Sequence, residues 1–205
     1  LIALLPAVLA GCVVFGLRAL LVVAVTTAAC VFFEWGFEKL CHTPSTISDL
    51  SAAVTGVLLA MNLPVSIPLW QAVFGALVAI VAVKGLFGGI GKNFANPAIT
   101  ARIVMFLAFS KTMTAWVFPD AVSTATPLAM MANGESVDYL TLLLGNHGGC
   151  LGETSALALL IGFAYLLIRG VISWHTPVCF VGTVFVMSLI LGQDAVGQIL
   201  SGGLM

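Results

Sequence analysis

Long apolar stretches separated by short polar connections run through the whole chain. A helix needs about 20 mostly apolar residues to cross the hydrocarbon core of a bilayer, and several stretches here approach that length. The pattern predicts helices at 1–15, 18–37, 49–63, 69–88, 95–109, 154–170, 176–192 and from 195 onward. We therefore expect an all-α fold, a polytopic transmembrane helix bundle over residues 1–205 as a single domain, with seven spans and the start of an eighth.

The composition supports a membrane protein. Hydrophobic residues make up 61% of the chain and charged residues 7%, whereas a soluble domain carries about a quarter charged residues. The formal net charge is −1 and no run of basic residues occurs, so we expect the lipid bilayer as the environment and no nucleic-acid partner. Because the chain starts inside an apolar run without Met, we expect it to be a fragment of a longer protein.

Basic residues near the helix ends suggest an orientation, since cytoplasmic flanks are enriched in Lys and Arg. Four such residues are predicted on the cytoplasmic side and three on the other: Lys39, Lys84, Lys92 and Arg169 against Arg18, Arg102 and Lys111. This count predicts that the long loop of about 110–153 lies outside the cytoplasm.

Two helix starts resemble each other. Asp49 opens "DLSAAVTGVLLA" and Glu153 opens "ETSALALLIGFA", and in both the acid is followed by Ser two positions on. Counting spans places the two starts on opposite faces of the membrane, as an inverted internal repeat requires. Chance similarity and simple helix capping remain open as alternatives. The residues available for capping are Ser48, Asp49, Ser51, Glu153, Thr154 and Ser155.

Four acids lie near the predicted span ends: Glu34, Glu38, Asp49 and Glu153. Water or headgroups can hydrate them there, so snorkelling or capping is the favoured interpretation. Acids at membrane depth are otherwise candidates for an ion path, and Glu34, Asp49 and Glu153 are the first choices for Na⁺ or H⁺. The histidines and cysteines share no ligand spacing, so we expect no metal site.

Two polar segments could carry chemistry. The glycine-rich "GGIGKNFANPA" suits a chain break before the fifth helix, with Asn96 and Pro97 at the helix start, while Asn93 and Asn96 could also bind a buried polar ring. No strand precedes it, so it is no nucleotide-binding loop. In the long loop, "DAVSTATPL" starts at Asp120 and clusters hydroxyls at Ser123, Thr124 and Thr126, which alone would suit a turn or helix start.

The run from Asp120 to Thr126 resembles the flavinylation motif D-x-x-[ST]-[SGT]-A-T. That motif occurs in a family containing the D subunit of the Rnf complex and the B subunit of the sodium-pumping NADH:quinone reductase. Other segments resemble family segments in the same order: "SDLSAAVTGVLLAMNLP", "FGGIGKNFANPAITAR", "MTAW", "LLLGNHGGCLGETSALALLIG" and "ISWHTP". The proline after Thr126 resembles the Rnf D subunit more closely, and the Nqr B subunit remains the alternative.

The resemblance implies that Thr126 is joined to FMN by a phosphoester, within a cofactor-binding motif that includes Asp120, Ser123 and Thr124. A threonine hydroxyl is a poor nucleophile unaided, so attachment implies a separate flavin transferase. A noncovalent riboflavin is also implied, with Asn93 and Asn96 resembling positions that line it. The implied role is electron transfer coupled to Na⁺ or H⁺ export, within a complex that oxidises ferredoxin and reduces NAD.

Partners implied by the resemblance are the extracytoplasmic flavoprotein G subunit and the membrane-embedded A and E subunits, in the bacterial cytoplasmic membrane. We expect the chain to carry electrons without a complete catalytic activity of its own, since it has no iron–sulfur motif and no dinucleotide fingerprint. Two alternatives remain. One is a cofactor-free channel or carrier whose inverted repeat surrounds a midplane site, and the other is a structural membrane anchor.

Overall fold

A computed structural model describes residues 1–115, 130–131, 139, 149–153 and 155–200. All regular secondary structure in these residues is helical, which confirms the all-α prediction. Helices occur at each of the eight predicted places, with ends shifted by up to four residues when the π-helix Val78–Gly85 is counted with the helix before it. The helices are α1 (Leu5–Phe15), α2 (Leu17–Cys41), α3 (Ser51–Met61), α4 (Leu69–Leu77), α5 (Pro97–Ala108), α6 (Ser110–Met113), α7 (Ala156–Ile168), α8 (His175–Ile190) and α9 (Ala195–Gln198).

Helix α2 is the longest element and has 25 residues. At about 1.5 Å per residue it is long enough to cross the roughly 30 Å hydrocarbon core. It is the one helix among the described residues whose length and composition both suit a membrane span. Shorter apolar helices of 10–17 residues make up most of the rest, so the seven predicted spans stay a prediction.

The chain groups into two compact units, Gly16–Trp116 and Leu1–Phe15 with Val117–Met205. In the first unit, α2 supplies the central face, because its buried residues recur every three or four positions along one side. That stripe begins with apolar side chains and ends with two carboxylates: Ala19, Val22, Thr26, Cys30, Glu34 and Glu38. Helices α3 and α4 pack against it.

Glycines let the helices approach α2 closely. A Cβ at Gly56 of α3 would lie 2.6 Å from the Thr27 Cα, so α3 packs against the α2 backbone, as small residues permit in membrane helices. Helix α4 continues as a π-helix, Val78–Gly85. A Cβ at Gly85 would lie 2.9 Å from the Phe37 ring. These contacts bring the end of the π-helix against the last turns of α2.

The second unit packs α7 against α1 and α9 against α8. Ser155 caps α7, where its hydroxyl accepts a hydrogen bond from the Ala158 amide at 3.3 Å. The capping interpretation is therefore confirmed for Ser155, while Thr154 lies outside the described residues. Asp194 caps α9 and accepts a hydrogen bond from the Tyr139 hydroxyl at 2.7 Å. That bond holds the pKa of Asp194 below its ordinary value.

Candidate functional site

A buried ion pair lies at one end of the Gly16–Trp116 unit. The Lys84 ammonium donates to Glu34 Oε1 and to the Ser51 hydroxyl. Only 5% of Glu34 and 5% of Lys84 is exposed. The sequence placed both side chains near water or headgroups, and the structure instead buries them, because the packing of Gly85 against Phe37 brings each charge to the other. A buried charge is tolerated when it is paired in this way.

The π-helix determines where the Lys84 side chain emerges. The carbonyl of Lys84 accepts from the Gly89 amide at 3.0 Å, a bond across five residues, and the Val81 carbonyl accepts from Leu86 in the same way. A π-helix turns less per residue than an α-helix, so residues near its end emerge on a different face. Such segments are rare and are frequent at functional sites.

Glu38 lies one turn after Glu34 on α2, and its carboxylate is fully engaged. It accepts from the Thr46 amide at 2.8 Å, the Thr46 hydroxyl at 2.6 Å and the Ser45 hydroxyl at 3.1 Å. Glu34 differs, because its Oε2 is buried and has no hydrogen-bond partner among the described residues. The two carboxylates therefore lie on the same stripe of α2, one turn apart, but differ in their capacity to bind a further ligand.

Asp49 joins the same cluster from the surface. Its carboxylate accepts from the Ser51 amide at 2.7 Å, and Leu50 between them has a positive φ of 60°. Hydrogen bonds from the Ser51 side chain and amide, aided by the Lys84 charge, hold the pKa of Asp49 below its ordinary value. Lys84 and Ser51 thus bring the predicted candidates Glu34 and Asp49 into one cluster.

Glu153, the third predicted ion-path residue, lies in the other unit. Its carboxylate accepts from the Cys150 amide at 3.1 Å, within the 3-10 turn Leu151–Glu153 that precedes α7. It is half-buried. The structure therefore shows a local turn-closing bond for Glu153 and places it in a separate unit from Glu34 and Asp49.

A cavity of about 230 Å³ adjoins the ion pair. Its polar lining comes from Glu34, Glu38, Lys84, Thr43 and Thr46. Gly88 and Gly89 also line the cavity, and their positive φ values of 94° and 88° turn the chain shortly after the π-helix. Two carboxylates and one ammonium line a cavity that is otherwise mostly apolar and large enough to hold water or a small cation.

The two asparagines of the glycine-rich segment differ in their contacts. Asn96 caps α5, where its side-chain oxygen accepts from the Ala98 and Ile99 amides at 3.0 and 3.4 Å. The predicted helix start at Asn96 and Pro97 is thereby confirmed. Asn93 Oδ1 is buried and has no hydrogen-bond partner among the described residues. Of the pair, Asn93 alone has its side-chain oxygen available for a ligand.

The flavinylation motif, with Asp120, Ser123, Thr124 and Thr126, lies outside the described residues. A second cavity, of about 520 Å³, is found in the other unit between α7 and α8. It is lined by apolar side chains such as Phe163, Val181 and Phe185. That cavity offers no charged group, whereas the cavity beside the ion pair is lined by three, Glu34, Glu38 and Lys84.

Sequence reasoning missed Lys84 and Ser51 as partners of Glu34. One signal was available, since Lys84 interrupts a long apolar run and needs a counter-charge if buried. A second was the spacing of Glu34 and Glu38, which places both on one helix face. Neither pattern could identify the partner, because the pairing joins residues 50 positions apart.

Apolar helices, one of them long enough to cross a bilayer, are what a helical membrane protein requires. Over residues 1–205 the chain matches the model of the NQR2, RnfD, RnfE family, and it belongs to that family. It is 45% identical over 212 residues to the D subunit of the Na⁺-translocating ferredoxin:NAD⁺ oxidoreductase complex of Acetobacterium woodii, covering 100% of this chain and 67% of that protein.

Other relatives include both kinds of subunit. The D subunit of the proton-translocating ferredoxin:NAD⁺ oxidoreductase complex of Clostridium ljungdahlii is 35% identical, covering 99% of this chain and 68% of that protein. The B subunit of the Na⁺-translocating NADH-quinone reductase of Ectopseudomonas mendocina is 41% identical, covering 60% of this chain and 33% of that protein. The chain thus spans about two thirds of the length of these two D subunits, and its similarity to them extends over nearly all its residues.

Proposed function

We propose that the chain is the flavin-carrying membrane subunit of an ion-translocating Rnf-type electron transport complex. The observation that carries the proposal is the family match over residues 1–205, together with two relatives named as D subunits of ferredoxin:NAD⁺ oxidoreductase complexes. As a subunit it needs partners for the complete reaction. We propose the extracytoplasmic G subunit, the membrane-embedded A and E subunits, and a flavin transferase, with the loop of about 110–153 outside the cytoplasmic membrane.

Thr126 is the proposed attachment point for FMN, through a phosphoester, with Asp120, Ser123 and Thr124 forming the rest of the motif. The support is the match of that run to the family motif. A bound flavin supplies reversible electron transfer, and attachment through the phosphate leaves the ring free for hydrogen bonds that set its redox behaviour.

Asn93 is the better supported of the two proposed riboflavin contacts. Its buried Oδ1 lacks a partner among the described residues, and a buried polar atom is costly unless it is hydrogen-bonded. A polar ring with an N–H donor would satisfy it. Asn96 already uses its side-chain oxygen to cap α5, so any contact with the ring would have to come from its amide nitrogen.

The ion proposed for this complex is a monovalent cation, Na⁺ or H⁺, since one relative is named Na⁺-translocating and another proton-translocating. Glu34, Asp49 and Glu153 are the proposed path residues. An inverted repeat is proposed as well, supported by a local likeness. A 3-10 turn that ends in an acidic residue precedes each of the two similar helices. The turns are Ile47–Asp49 before α3 and Leu151–Glu153 before α7.

Covalent flavin is tested by producing the full-length subunit with its flavin transferase and viewing a denaturing gel under ultraviolet light. We expect a fluorescent band that disappears in Thr126→Val and persists in the matched control Thr124→Val. A dark wild-type band would favour a cofactor-free channel or carrier. Loss of fluorescence in Thr124→Val alone would move the attachment to Thr124.

The riboflavin contact is tested by extracting noncovalent flavin from the purified complex. Asn93→Leu should lower the extractable riboflavin while the covalent fluorescence stays unchanged. Asn96→Asp keeps an oxygen for the cap and serves as the control for damage to α5. Unchanged riboflavin in Asn93→Leu would remove this residue from the site.

A further inference from the structure

We propose that Glu34 and Glu38 form the binding site for one monovalent cation in the 230 Å³ cavity, and that Lys84 is a built-in counter-ion which the entering cation displaces from Glu34. This inference rests on the ion-translocating part of the proposed function and narrows it to one place. Of the three acids proposed for the path, it selects Glu34, and it adds Glu38 and Lys84.

The charge balance of the cavity favours a second cation. Two carboxylates four residues apart lie on the same face of α2, one turn from each other. Both line the cavity, and Lys84 is the one buried cation among the described residues. With Glu34, Glu38 and Lys84 all ionised, the cavity carries one negative charge in excess. A monovalent cation, whether Na⁺ or H⁺, neutralises that charge.

The hydrogen bonds assign different roles to the two acids. Glu38 is fixed by three donors from Ser45 and Thr46 and holds its charge at a defined position. Glu34 has one oxygen bound to Lys84 and a second, Oε2, that is buried with no hydrogen-bond partner among the described residues. A hard cation prefers oxygen ligands, and a carboxylate oxygen without a hydrogen-bond partner among the described residues, on a residue that lines the cavity, provides one.

Lys84 has a second place to bind when Glu34 is neutralised. Its ammonium already donates to the Ser51 hydroxyl, and the Ser51 amide in turn donates to Asp49. An entering cation weakens the attraction between Glu34 and Lys84 without breaking the bond to Ser51. If the cation is a proton, the Glu34 carboxylate becomes a carboxyl group and Lys84 keeps all its protons. If it is Na⁺, no proton moves.

The other charged groups near the cavity are few. Lys92 passes beside Gly88, whose added Cβ would lie 3.2 Å from its side chain, and Lys39 is exposed and placed over the Trp35 ring. The one charged residue of α5, Arg102, donates to Asn62 Oδ1 at 2.7 Å. Cys30 lies one turn before Glu34 on the same buried stripe of α2. Lys84 is therefore the residue positioned to compete with a cation for Glu34.

The test uses the full complex with the full-length subunit, reconstituted in proteoliposomes. Reduced ferredoxin drives NAD reduction while cation uptake is followed, first against Na⁺ at fixed pH and then against pH at fixed Na⁺. The variants are Lys84→Met, Glu34→Gln and the double variant Glu34→Gln/Lys84→Met. Lys39→Met is the matched control, because it removes an exposed lysine from the same end of α2.

Lys84→Met should lower the half-saturating cation concentration by about tenfold or more, since a charge at this range changes the proton affinity of a carboxylate by about one to three orders of magnitude. Turnover should fall as well, because no ammonium group remains to displace the bound cation from Glu34. The double variant should assemble and transfer electrons but lose cation uptake. Lys39→Met should behave as wild type. A response to Na⁺ alone or to pH alone supports the site and identifies the cation.

A purely structural ion pair gives different results. In that case Lys84→Met leaves the half-saturating concentration unchanged, or the double variant recovers both assembly and wild-type cation uptake, and either result overturns the proposal. If the complex with Lys84→Met fails to assemble, cation uptake by the double variant still distinguishes a cation site from a structural ion pair. If the wild-type subunit carries fluorescent flavin and the double variant takes up cations normally, this inference alone is wrong. If the wild-type subunit carries no flavin, the proposed function is wrong.

Discussion

The two ends of the Gly16–Trp116 unit use polar side chains in different ways. At the end that contains the start of α2, polar groups fasten chain segments together. Arg102 donates to Asn62 Oδ1 at 2.7 Å, and Thr112 donates to Gln71 Oε1 at 2.8 Å. Arg18 likewise donates to the carbonyl of Ile67, in the loop before α4, at 2.8 Å. Each of these bonds joins elements distant in sequence, and each acceptor named here has its donor.

At the other end, Glu34 leaves one buried oxygen without a partner among the described residues, and it lines the 230 Å³ cavity together with Glu38 and Lys84. Fully satisfied buried networks rigidify a fold, whereas an unsatisfied group needs another explanation, such as a role in binding. The comparison therefore separates polar residues that hold helices in place from polar residues with capacity to bind something. We call these the Arg102 end and the Glu34 end.

The largest expected difference between the ends concerns stability. Lys84→Met leaves the Glu34 charge buried and unpaired, which should cost about 3–5 kcal/mol of unfolding free energy. Arg102→Met removes a donor from a partly exposed amide and should cost about 1–3 kcal/mol. The double variant Glu34→Gln/Lys84→Met should recover most of the first loss. Unfolding by sodium dodecyl sulfate in mixed micelles measures all three, and equal losses for the two single variants would remove the distinction.

The close approach of α2 and α3 should matter to both ends. Gly56→Val places side-chain atoms against the Thr27 backbone and should cost about 1–3 kcal/mol through overpacking. Gly36 of α2 has open space around an added Cβ, so the control Gly36→Ala should leave stability unchanged or raise it by up to about 1 kcal/mol. The same micelle unfolding assay checks this, and a tolerated Gly56→Val would contradict the packing of α3 on α2.

Asn96 provides a smaller test of whether an asparagine is structural or ligand-binding. Asn96→Ala removes the cap of α5 and should cost about 1 kcal/mol, whereas Asn96→Asp should retain most of the stability because the carboxylate accepts the same bonds. Thermal unfolding of the purified subunit measures both. If Asn96→Ala has full stability and lowers riboflavin, Asn96 belongs with the ligand-binding group.

The smallest effect should come from pH at Asp49. Its pKa is lowered in the folded protein, so its contribution to stability is complete above the ordinary Asp value of about 3.9 and is lost as the pH falls through the lower, folded value. The contribution is small because Asp49 is exposed. Melting temperatures in acid should fall less steeply for Asp49→Asn than for the wild type. If the melting temperatures of the two proteins fall in parallel with pH, the hydrogen bond between Asp49 and Ser51 contributes nothing to stability.

Apolar stretch lengths were sufficient to predict the places of the described α-helices except the short α6, which lies in the predicted loop, and Asn96–Pro97 correctly predicted the start of α5, since both signals are local. The Glu34–Lys84 pair was not predicted. It depends on a π-helix whose bonding pattern has no sequence signature here, and on a contact across 50 residues. Glu38 was predicted to snorkel or to cap a helix, whereas it is buried and bonded to Ser45 and Thr46, because the loop after α2 folds back on that helix. Thr126 lies outside the described residues, so its role is supported by the motif alone.

The mass of the intact subunit, isolated from the full complex, tests the central redox assignment most directly. We expect the mass of the polypeptide plus one FMN less one water, with the addition confined to the peptide that contains Thr126. A mass equal to that of the bare polypeptide would contradict the assignment. What would then be left is a bundle of helices with a buried ion pair and no covalent flavin.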